Sequence, residues 1–119
     1  LAHDASTVKV GAHAKIGIVK IGNNVFIGAD SVVLCNTRIG DNVIIGTGSV
    51  VTHDIPSDSV YAGNPAKFVC SFSEFQAKHL KNLETKPYFS EHRWDEWANA
   101  SEEERQEMRK RLESTFGYV

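Results

Sequence analysis

The sequence predicts an all-β region, in which short parallel strands coil into a triangular prism, followed by an α-helical extension. The first observation is that aliphatic residues recur at a strict interval of six: Ile21, Ile27, Val33, Ile39, Ile45 and Val51. Because this period belongs neither to an α-helix nor to an ordinary strand, it indicates a stacked repeat. The second observation is that eight of the nine glycines precede Cys70, whereas every glutamate follows it. This shift predicts two regions, residues 1–70 and 71–119.

The repeat unit of the first region reads Ile/Val-Gly-x-x-(Ser/Thr/Val)-x. Three units of strand and turn would complete one coil, which rises by one strand spacing of about 4.8 Å. The aliphatic residue and the small fifth residue are predicted to face the interior, while Gly, Asn and Asp occupy turns that need left-handed backbone angles. Residues 21–38 and 39–56 are predicted to be two regular coils. The five-residue step from Ile16 to Ile21 predicts a register slip before them.

The second region is predicted to hold two helices that cap the end of the coil or contact a neighbouring subunit. The first is expected at residues 72–84, where Ser71 and Glu74 can form a capping box. The second is expected at residues 102–115 with Ser101 as its N-cap, because acidic residues follow the cap and basic residues crowd the other end.

Composition excludes several other classes of protein. The formal net charge of −2 gives no basic surface of the kind that binds nucleic acid. No apolar run is long enough to cross a bilayer, and no signal peptide is visible. Cys35 and Cys70 have no motif spacing, which is typical of a reduced, cytoplasmic chain. Since repeats begin almost at Leu1, we expect the C-terminal part of a longer protein.

The repeat is accompanied by two closing motifs, Val-Val-Thr-His-Asp-Ile-Pro at residues 50–56 and Ala-Gly-Asn-Pro-Ala-Lys at residues 62–67. Together they resemble the hexapeptide-repeat (left-handed β-helix) acyltransferases, most closely the galactoside, maltose, xenobiotic and glycan O-acetyltransferases. The resemblance covers residues 1 to about 70. It implies a left-handed parallel β-helix and a homotrimer with active sites between subunits. It also implies acetyl-CoA as co-substrate, no metal, and direct acetyl transfer to a hydroxyl of a sugar or glycan.

The resemblance also implies a histidine as general base, and His3 is the candidate because it lies about one coil before the regular repeats. Neutral imidazole can accept a proton from a hydroxyl group near pH 7. His13, at the register slip, and His53, where relatives carry lysine, are the rivals. We expect His79 and His92 in the tail to be solvated.

The resemblance places acetyl-CoA in a groove lined by seven residues: Phe26, Ala29, Thr47, Gly48, Thr52, His53 and Lys67. The Ala29 backbone N–H would face the thioester carbonyl, and Phe26 would pack against the acyl or cysteamine end. The Thr47-Gly48 turn would pair with the pantetheine amides. Lys67 would supply the cation for the 3′-phosphate. Thr52 and His53 would lie near the adenine.

Other functions stay open at this point. The same machinery could acetylate an amine, as in an N-acetyltransferase acting on an amino sugar or nucleotide sugar. A zinc-dependent hexapeptide-repeat carbonic anhydrase would need three histidines around one metal, whereas His3, His13 and His53 are widely separated in the sequence. A non-catalytic trimerisation prism is the third alternative. The acceptor and the acyl chain length are not encoded in any motif.

Overall fold

In the computed structural model, which describes residues 1–93 and 95–119, the chain divides into two compact units, Leu1–Phe75 and Gln76–Val119. Within the described residues the strands are β1 (Ala2–Asp4), β2 (Lys15–Gly17), β3 (Val19–Ile21), β4 (Val25–Ile27), β5 (Val32–Val33), β6 (Thr37–Ile39), β7 (Val43–Ile45), β8 (Val50–Val51), β9 (Ser59–Ala62) and β10 (Lys67–Ser71). The helices are α1 (Phe72–Leu83) and α2 (Glu102–Leu112), with short 3₁₀ helices at Ser6–Val10 and Trp97–Asn99.

The centre of the first unit is a three-sided parallel coil. Strand β3 pairs with β6, and β5 pairs with β8. Strand β4 pairs with β7, which pairs on its other side with β9. All of these pairings are parallel. We name these sheets the β3, β4 and β5 faces. Val25 lies opposite Val43 and Val32 lies opposite Val50, so the chain returns to the same face after 18 residues. From β3 to β8, each predicted six-residue unit therefore forms one face of one coil.

The interior of the coil is filled by the aliphatic and fifth residues of the repeat, as predicted. The most deeply buried are Thr37, Ile39, Val43, Ile45, Ser49 and Val51. The buried hydroxyls donate to carbonyls of the preceding turn, Thr37 to Leu34 and Ser49 to Gly46, so neither is left unpaired. Ile21 is instead 47% exposed, because the first strand of each face is paired on one side only.

The prediction that residues 39–56 form a regular coil is wrong in its last part. Val33 still faces Val51, a step of 18 residues, but Ile39 bridges to Ile55, a step of 16. The turn after β8 is therefore two residues shorter than the turn after β5. Ile55 nevertheless remains buried, with 3% of its surface exposed, because the shortening places it above Ile39.

Residues 1–17 do not continue the coil. Strands β1 and β2 form an antiparallel hairpin in which His3 lies opposite Ile16, and the 3₁₀ helix lies between them. Ile16 is 70% exposed, so its six-residue spacing from Val10 does not reflect a shared interior position. The predicted slip between Ile16 and Ile21 marks the change from hairpin to coil.

The other end of the coil is closed by a second hairpin. Strand β10 runs antiparallel to β9, and the turn between them contains a cis peptide bond before Pro65. Tyr61 packs against the core cluster, and its ring lies edge-on to Phe68, with 5.8 Å between centroids. Helix α1 then begins as predicted, since the Ser71 hydroxyl accepts from the Glu74 N–H at 3.1 Å and the Glu74 carboxylate accepts from the Ser71 N–H.

Within the second unit, α2 begins with the predicted capping box of Ser101 and Glu104. It ends at Leu112, three residues before the predicted end at residue 115. The expectation that His79 and His92 are solvated is only partly correct, because both are half-buried and each has a side-chain partner. His79 Nδ1 lies 2.7 Å from the Tyr118 hydroxyl, and His92 Nε2 lies 3.1 Å from a Glu104 carboxylate oxygen.

Neither helix in the described part of the chain combines the length and the apolar character needed to cross a bilayer.

Candidate active site

One corner of the coil, between the β4 and β5 faces, is built almost entirely from small residues. It consists of residues 28–31, 46–49 and 62–65, one segment from each successive coil, and we call it the glycine corner. The rungs are tied together by backbone hydrogen bonds, because the Gly48 N–H donates to the Ala29 carbonyl at 2.8 Å. The Gly63 N–H likewise donates to the buried Ser49 hydroxyl at 3.1 Å.

Glycine is required in this corner because the rungs pack directly on each other. A Cβ atom on Gly28 would lie 2.5 Å from the Thr47 nitrogen, and one on Gly46 would lie 2.8 Å from the Ala62 Cβ. Such separations are well below ordinary van der Waals contact. The Ile/Val-Gly dipeptide of the repeat therefore keeps the stacked turns close and the outer surface of the corner free of bulk.

The backbone N–H groups of Ala29 and Thr47 on this corner have no partner in the described part of the chain. Both residues are exposed. Since the hydrogen bond from the Gly48 N–H to the Ala29 carbonyl joins the two turns, the two donors occupy fixed positions on successive coils. Such donors suit an extended ligand that carries carbonyl groups, or an oxygen on which negative charge develops.

Three further residues expected near acetyl-CoA, Lys67, Phe26 and Gly48, lie around the same corner or on the face beside it. Lys67 opens β10 directly opposite Ala62, so it follows the last rung of the glycine corner. Phe26 lies on the outer surface of β4, opposite Ile44, and is 62% exposed. Gly48 has a φ of 68° and open space around its Cα.

His3 lies elsewhere, in a recess of about 230 Å³. The recess is lined by Ala2, His3, Asp4, Lys15, Val32, Val33, Leu34, Cys35 and Thr52. Among the described residues, none hydrogen-bonds to the His3 ring. Asp4 is engaged away from it, because its carboxylate accepts from the Ser6 N–H at 2.8 Å. Hydrogen bonds from the Ser6 hydroxyl and backbone N–H hold the pKa of the Asp4 carboxyl below its ordinary value.

The recess and the glycine corner lie at opposite ends of the β5 face. Residues 28–31 of the corner precede β5, whereas Leu34 and Cys35 of the recess follow it. Thr52, which follows β8, lines the recess with His3 and not the corner. A single copy of the chain therefore does not bring His3 and Ala29 into one pocket.

His53 reaches the closed end of the coil, where its ring is 6.4 Å from that of Tyr61. Its Nδ1 atom lies 3.1 Å from the Thr52 hydroxyl. His13 is exposed, and its carbonyl accepts from the Thr7 hydroxyl at 2.6 Å. Across residues 1–93 and 95–119, no three His, Cys, Asp or Glu side chains are grouped closely enough to hold a metal ion.

Sequence reasoning did not include Ala62 and Gly63 among the site residues, although they form the third rung of the glycine corner. The signal was present, because Ala62-Gly63 follows Tyr61 as Gly28-Ala29 follows Ile27 and Gly46-Thr47 follows Ile45, three residues that share one register. The two-residue shortening of the preceding turn hid this correspondence from the six-residue count.

Comparison with known proteins agrees with this geometry. Residues 18–53 match the family described as bacterial transferase hexapeptide (six repeats). Over 64 residues the chain is 55% identical to Protein CapG of Staphylococcus aureus. The aligned region covers 54% of this chain and 37% of that protein.

Two solved structures are also similar. A maltose O-acetyltransferase from Clostridium difficile is 41% identical with a TM-score of 0.51, over 56% of this chain and 35% of its own. A hexapeptide-repeat containing acetyltransferase from Vibrio cholerae O1 biovar eltor, complexed with acetyl coenzyme A, is 25% identical with a TM-score of 0.53, over 60% of this chain and 39% of its own.

The chain thus spans little more than a third of the length of each of these relatives. Residues 18–53 of the coil match the hexapeptide-repeat family of bacterial transferases, and the parallel coil is the fold that such a repeat predicts.

Proposed function

We propose that this protein is an acetyl-CoA-dependent O-acetyltransferase that transfers an acetyl group to a hydroxyl of a sugar or glycan. The observation that carries the proposal is the row of unpartnered donors on the glycine corner, the N–H groups of Ala29 and Thr47. The similarity to a maltose O-acetyltransferase and to an acetyltransferase complexed with acetyl-CoA supports the same chemistry. In this proposal the coil is left-handed, as the family resemblance implies.

The glycine corner fits a long, thin co-substrate. Its three rungs span about 10 Å at the usual strand spacing, and Lys67 comes directly after the last rung. The thioester end would lie at Ala29 and the pantetheine amides at Thr47 and Gly48. The 3′-phosphate would then lie towards Lys67, which pairs with Ala62 of the last rung and carries a positive charge.

The His3 imidazole is assigned as the general base. The acceptor oxygen would form a bond to the carbonyl carbon of the thioester while its proton passes to a His3 ring nitrogen. The carbon–sulfur bond then breaks, and the departing thiolate takes the proton back from the imidazolium. The Ala29 N–H would stabilise the oxygen that carries negative charge during this exchange, an interaction worth about 3 kcal/mol in comparable enzymes.

The complete site requires a second copy of the chain. His3 and the glycine corner lie at opposite ends of the β5 face, so the two groups can meet only if the recess of one copy faces the corner of its neighbour. Cyclic association of three copies would build three such sites. We therefore propose a homotrimer with the active sites between subunits.

A screen of sugar and amino-sugar acceptors tests the activity. Release of free thiol from acetyl-CoA is followed for the wild type, for His3→Ala and for His13→Ala, an exposed histidine outside the recess. We expect loss of the base to lower turnover by about 10²–10⁴, with little change in His13→Ala. Equal rates for the wild type and His3→Ala would remove His3 from the mechanism. Preferential acetylation of amino sugars at nitrogen would replace the O-acetyltransferase proposal with its N-acetyltransferase alternative.

A further inference from the structure

A second groove, separate from the recess and the glycine corner, runs along the β3 face. It has a volume of about 560 Å³, and its lining includes Lys20, Arg38, Asp41, Asp54 and Ser57. We propose that this groove binds a phosphate group, as a monoester or diphosphate, through the side chains of Lys20 and Arg38. The proposal does not depend on the acetyltransferase assignment.

The two cations are brought together by strand register. Lys20 lies directly opposite Arg38 on the parallel strands β3 and β6, which are about 4.8 Å apart. Residues opposite each other on adjacent strands project from the same side of the sheet, and both side chains are exposed. Like charges in this arrangement repel and destabilise the pairing. An anion with two negative charges would convert that repulsion into two attractions.

No carboxylate in the described part of the chain pairs directly with either cation, although two aspartates also line the groove. Neither Lys20 nor Arg38 forms an ion pair there. The two aspartates of the groove are occupied by backbone donors instead. The Asp41 carboxylate accepts from the Asn23 N–H at 2.7 Å, and the Asp54 carboxylate accepts from the Arg38 N–H at 2.8 Å.

The chemistry of the pair favours phosphate over a single carboxylate. Arginine presents a planar fork of donors that matches two oxygens of a phosphate group, and lysine adds a compact point charge beside it. The floor is provided by Ile39 and Ile55, which are buried. The groove lies on the β3 face, whereas the glycine corner joins the other two faces. A phosphate bound here is therefore not in contact with the rungs assigned to the pantetheine.

Titration of the full chain with inorganic pyrophosphate, followed by amide chemical shifts at constant ionic strength, tests the site. We expect saturable shifts confined to residues 20–22 and 38–41. The double variant Lys20→Met/Arg38→Met should weaken binding by at least about tenfold, which is the effect of losing charge-assisted hydrogen bonds. Lys9→Met changes an exposed lysine of the same unit and should leave binding unchanged.

Further probes distinguish the sources of the phosphate. Changes in the amide chemical shifts of residues 38–41 with CoA, but not with dephospho-CoA, would show that the groove binds the 3′-phosphate of CoA. The same changes with a nucleoside diphosphate would show that it binds a nucleotide-linked acceptor. Lys67→Glu should leave pyrophosphate binding intact, so failure of the acetyl-CoA groove would be seen separately. Shifts spread over all surface lysines, or equal affinity in the double variant, would overturn the phosphate site.

Discussion

The side-chain amide of Asn24 donates to the side-chain carbonyl of Asn42 at 2.8 Å, across one full coil. Asn42 in turn donates to the Asp58 carboxylate at 3.1 Å. All three residues have positive φ angles, between 53° and 61°. The ladder therefore stabilises the corner between the β3 and β4 faces and explains why these turns use Asn and Asp, which tolerate left-handed backbone better than other residues with side chains.

Replacing the middle residue of this ladder tests its contribution. Asn42→Ala removes both side-chain bonds and places alanine at a φ of 53°. We expect the free energy of unfolding to fall by about 1–3 kcal/mol. Asn42→Gly loses the same bonds without the backbone strain, so its free energy of unfolding should fall by less. Denaturant unfolding of the two variants measures both values, and a glycine variant as unstable as the alanine variant would contradict the role given to backbone strain.

The close stacking at the glycine corner predicts that Gly28→Ala is severe. The added Cβ would meet the Thr47 backbone at 2.5 Å, and backbone on both sides cannot move without separating the rungs. Overpacking of this kind costs about 1–3 kcal/mol, and CoA binding should weaken with it. Gly11→Ala separates the two causes of destabilisation, because its φ of 81° strains alanine but nothing lies within 4 Å of the new atom. Thermal unfolding that leaves Gly28→Ala as stable as the wild type would argue against tight rungs.

The position of Lys67 predicts a phosphate-dependent loss of CoA affinity. Lys67→Glu replaces attraction to the 3′-phosphate with repulsion, so calorimetry should show CoA binding weakened by about tenfold or more. Dephospho-CoA lacks that phosphate and should bind both proteins with similar affinity. Lys9→Glu makes the same change of charge in the same unit, away from the corner. Equal CoA affinity in Lys67→Glu and the wild type would place the nucleotide elsewhere.

Mixing two inactive variants tests whether the site is shared between copies. His3→Ala lacks the base, and Lys67→Glu lacks the phosphate contact, so neither should turn over at low CoA concentration. If each site takes His3 from one copy and Lys67 from the next, an equal mixture should regain about a quarter of the wild-type sites. Sites contained within one chain would regain none. Thiol release after unfolding and refolding the mixture gives the answer, with light scattering to confirm the oligomer.

Asp4 predicts a pH dependence in the hairpin that carries His3. Its pKa is held below the ordinary value of 3.8 by the hydrogen bonds from Ser6. A carboxyl whose pKa is lower in the folded state contributes stability above its unfolded pKa, and this contribution is lost as pH falls through the folded value. The chemical shift of the Ser6 amide should therefore differ between the wild type and Asp4→Asn at pH 7. The difference should disappear in acid, as NMR spectra across this range will reveal. A difference that persists unchanged at the lowest pH would exclude the carboxylate as its cause.

The sequence was sufficient for the parallel coil because its period corresponds to a physical repeat, one buried aliphatic residue per face. The two N-caps were also predictable, since Ser71 and Ser101 are each followed by glutamate at the third helical position. The shortened turn after β8 was not. In the six-residue pattern, Ile55 takes the fifth position of the unit that begins at Val51. In the structure, it takes the aliphatic position above Ile39. Isoleucine suits both positions, so the pattern cannot distinguish the regular register from the shortened one.

The candidate site was only partly accessible to sequence reasoning. The turns that hold Ala29 and Thr47 follow from the repeat, because each succeeds an Ile-Gly pair. The location of His3 does not, since residues 1–17 pair as a hairpin whose path depends on contacts and not on a period.

The β1–β2 hairpin has a dynamic consequence for the proposed base. Its strands pair only with each other, and an isolated two-stranded ribbon is marginally stable in water. We therefore expect the hairpin that carries His3 to open more readily than the core strand Val43–Ile45. Docking against an adjoining molecule would quench this motion, so catalytic competence would rise with assembly and not with folding alone.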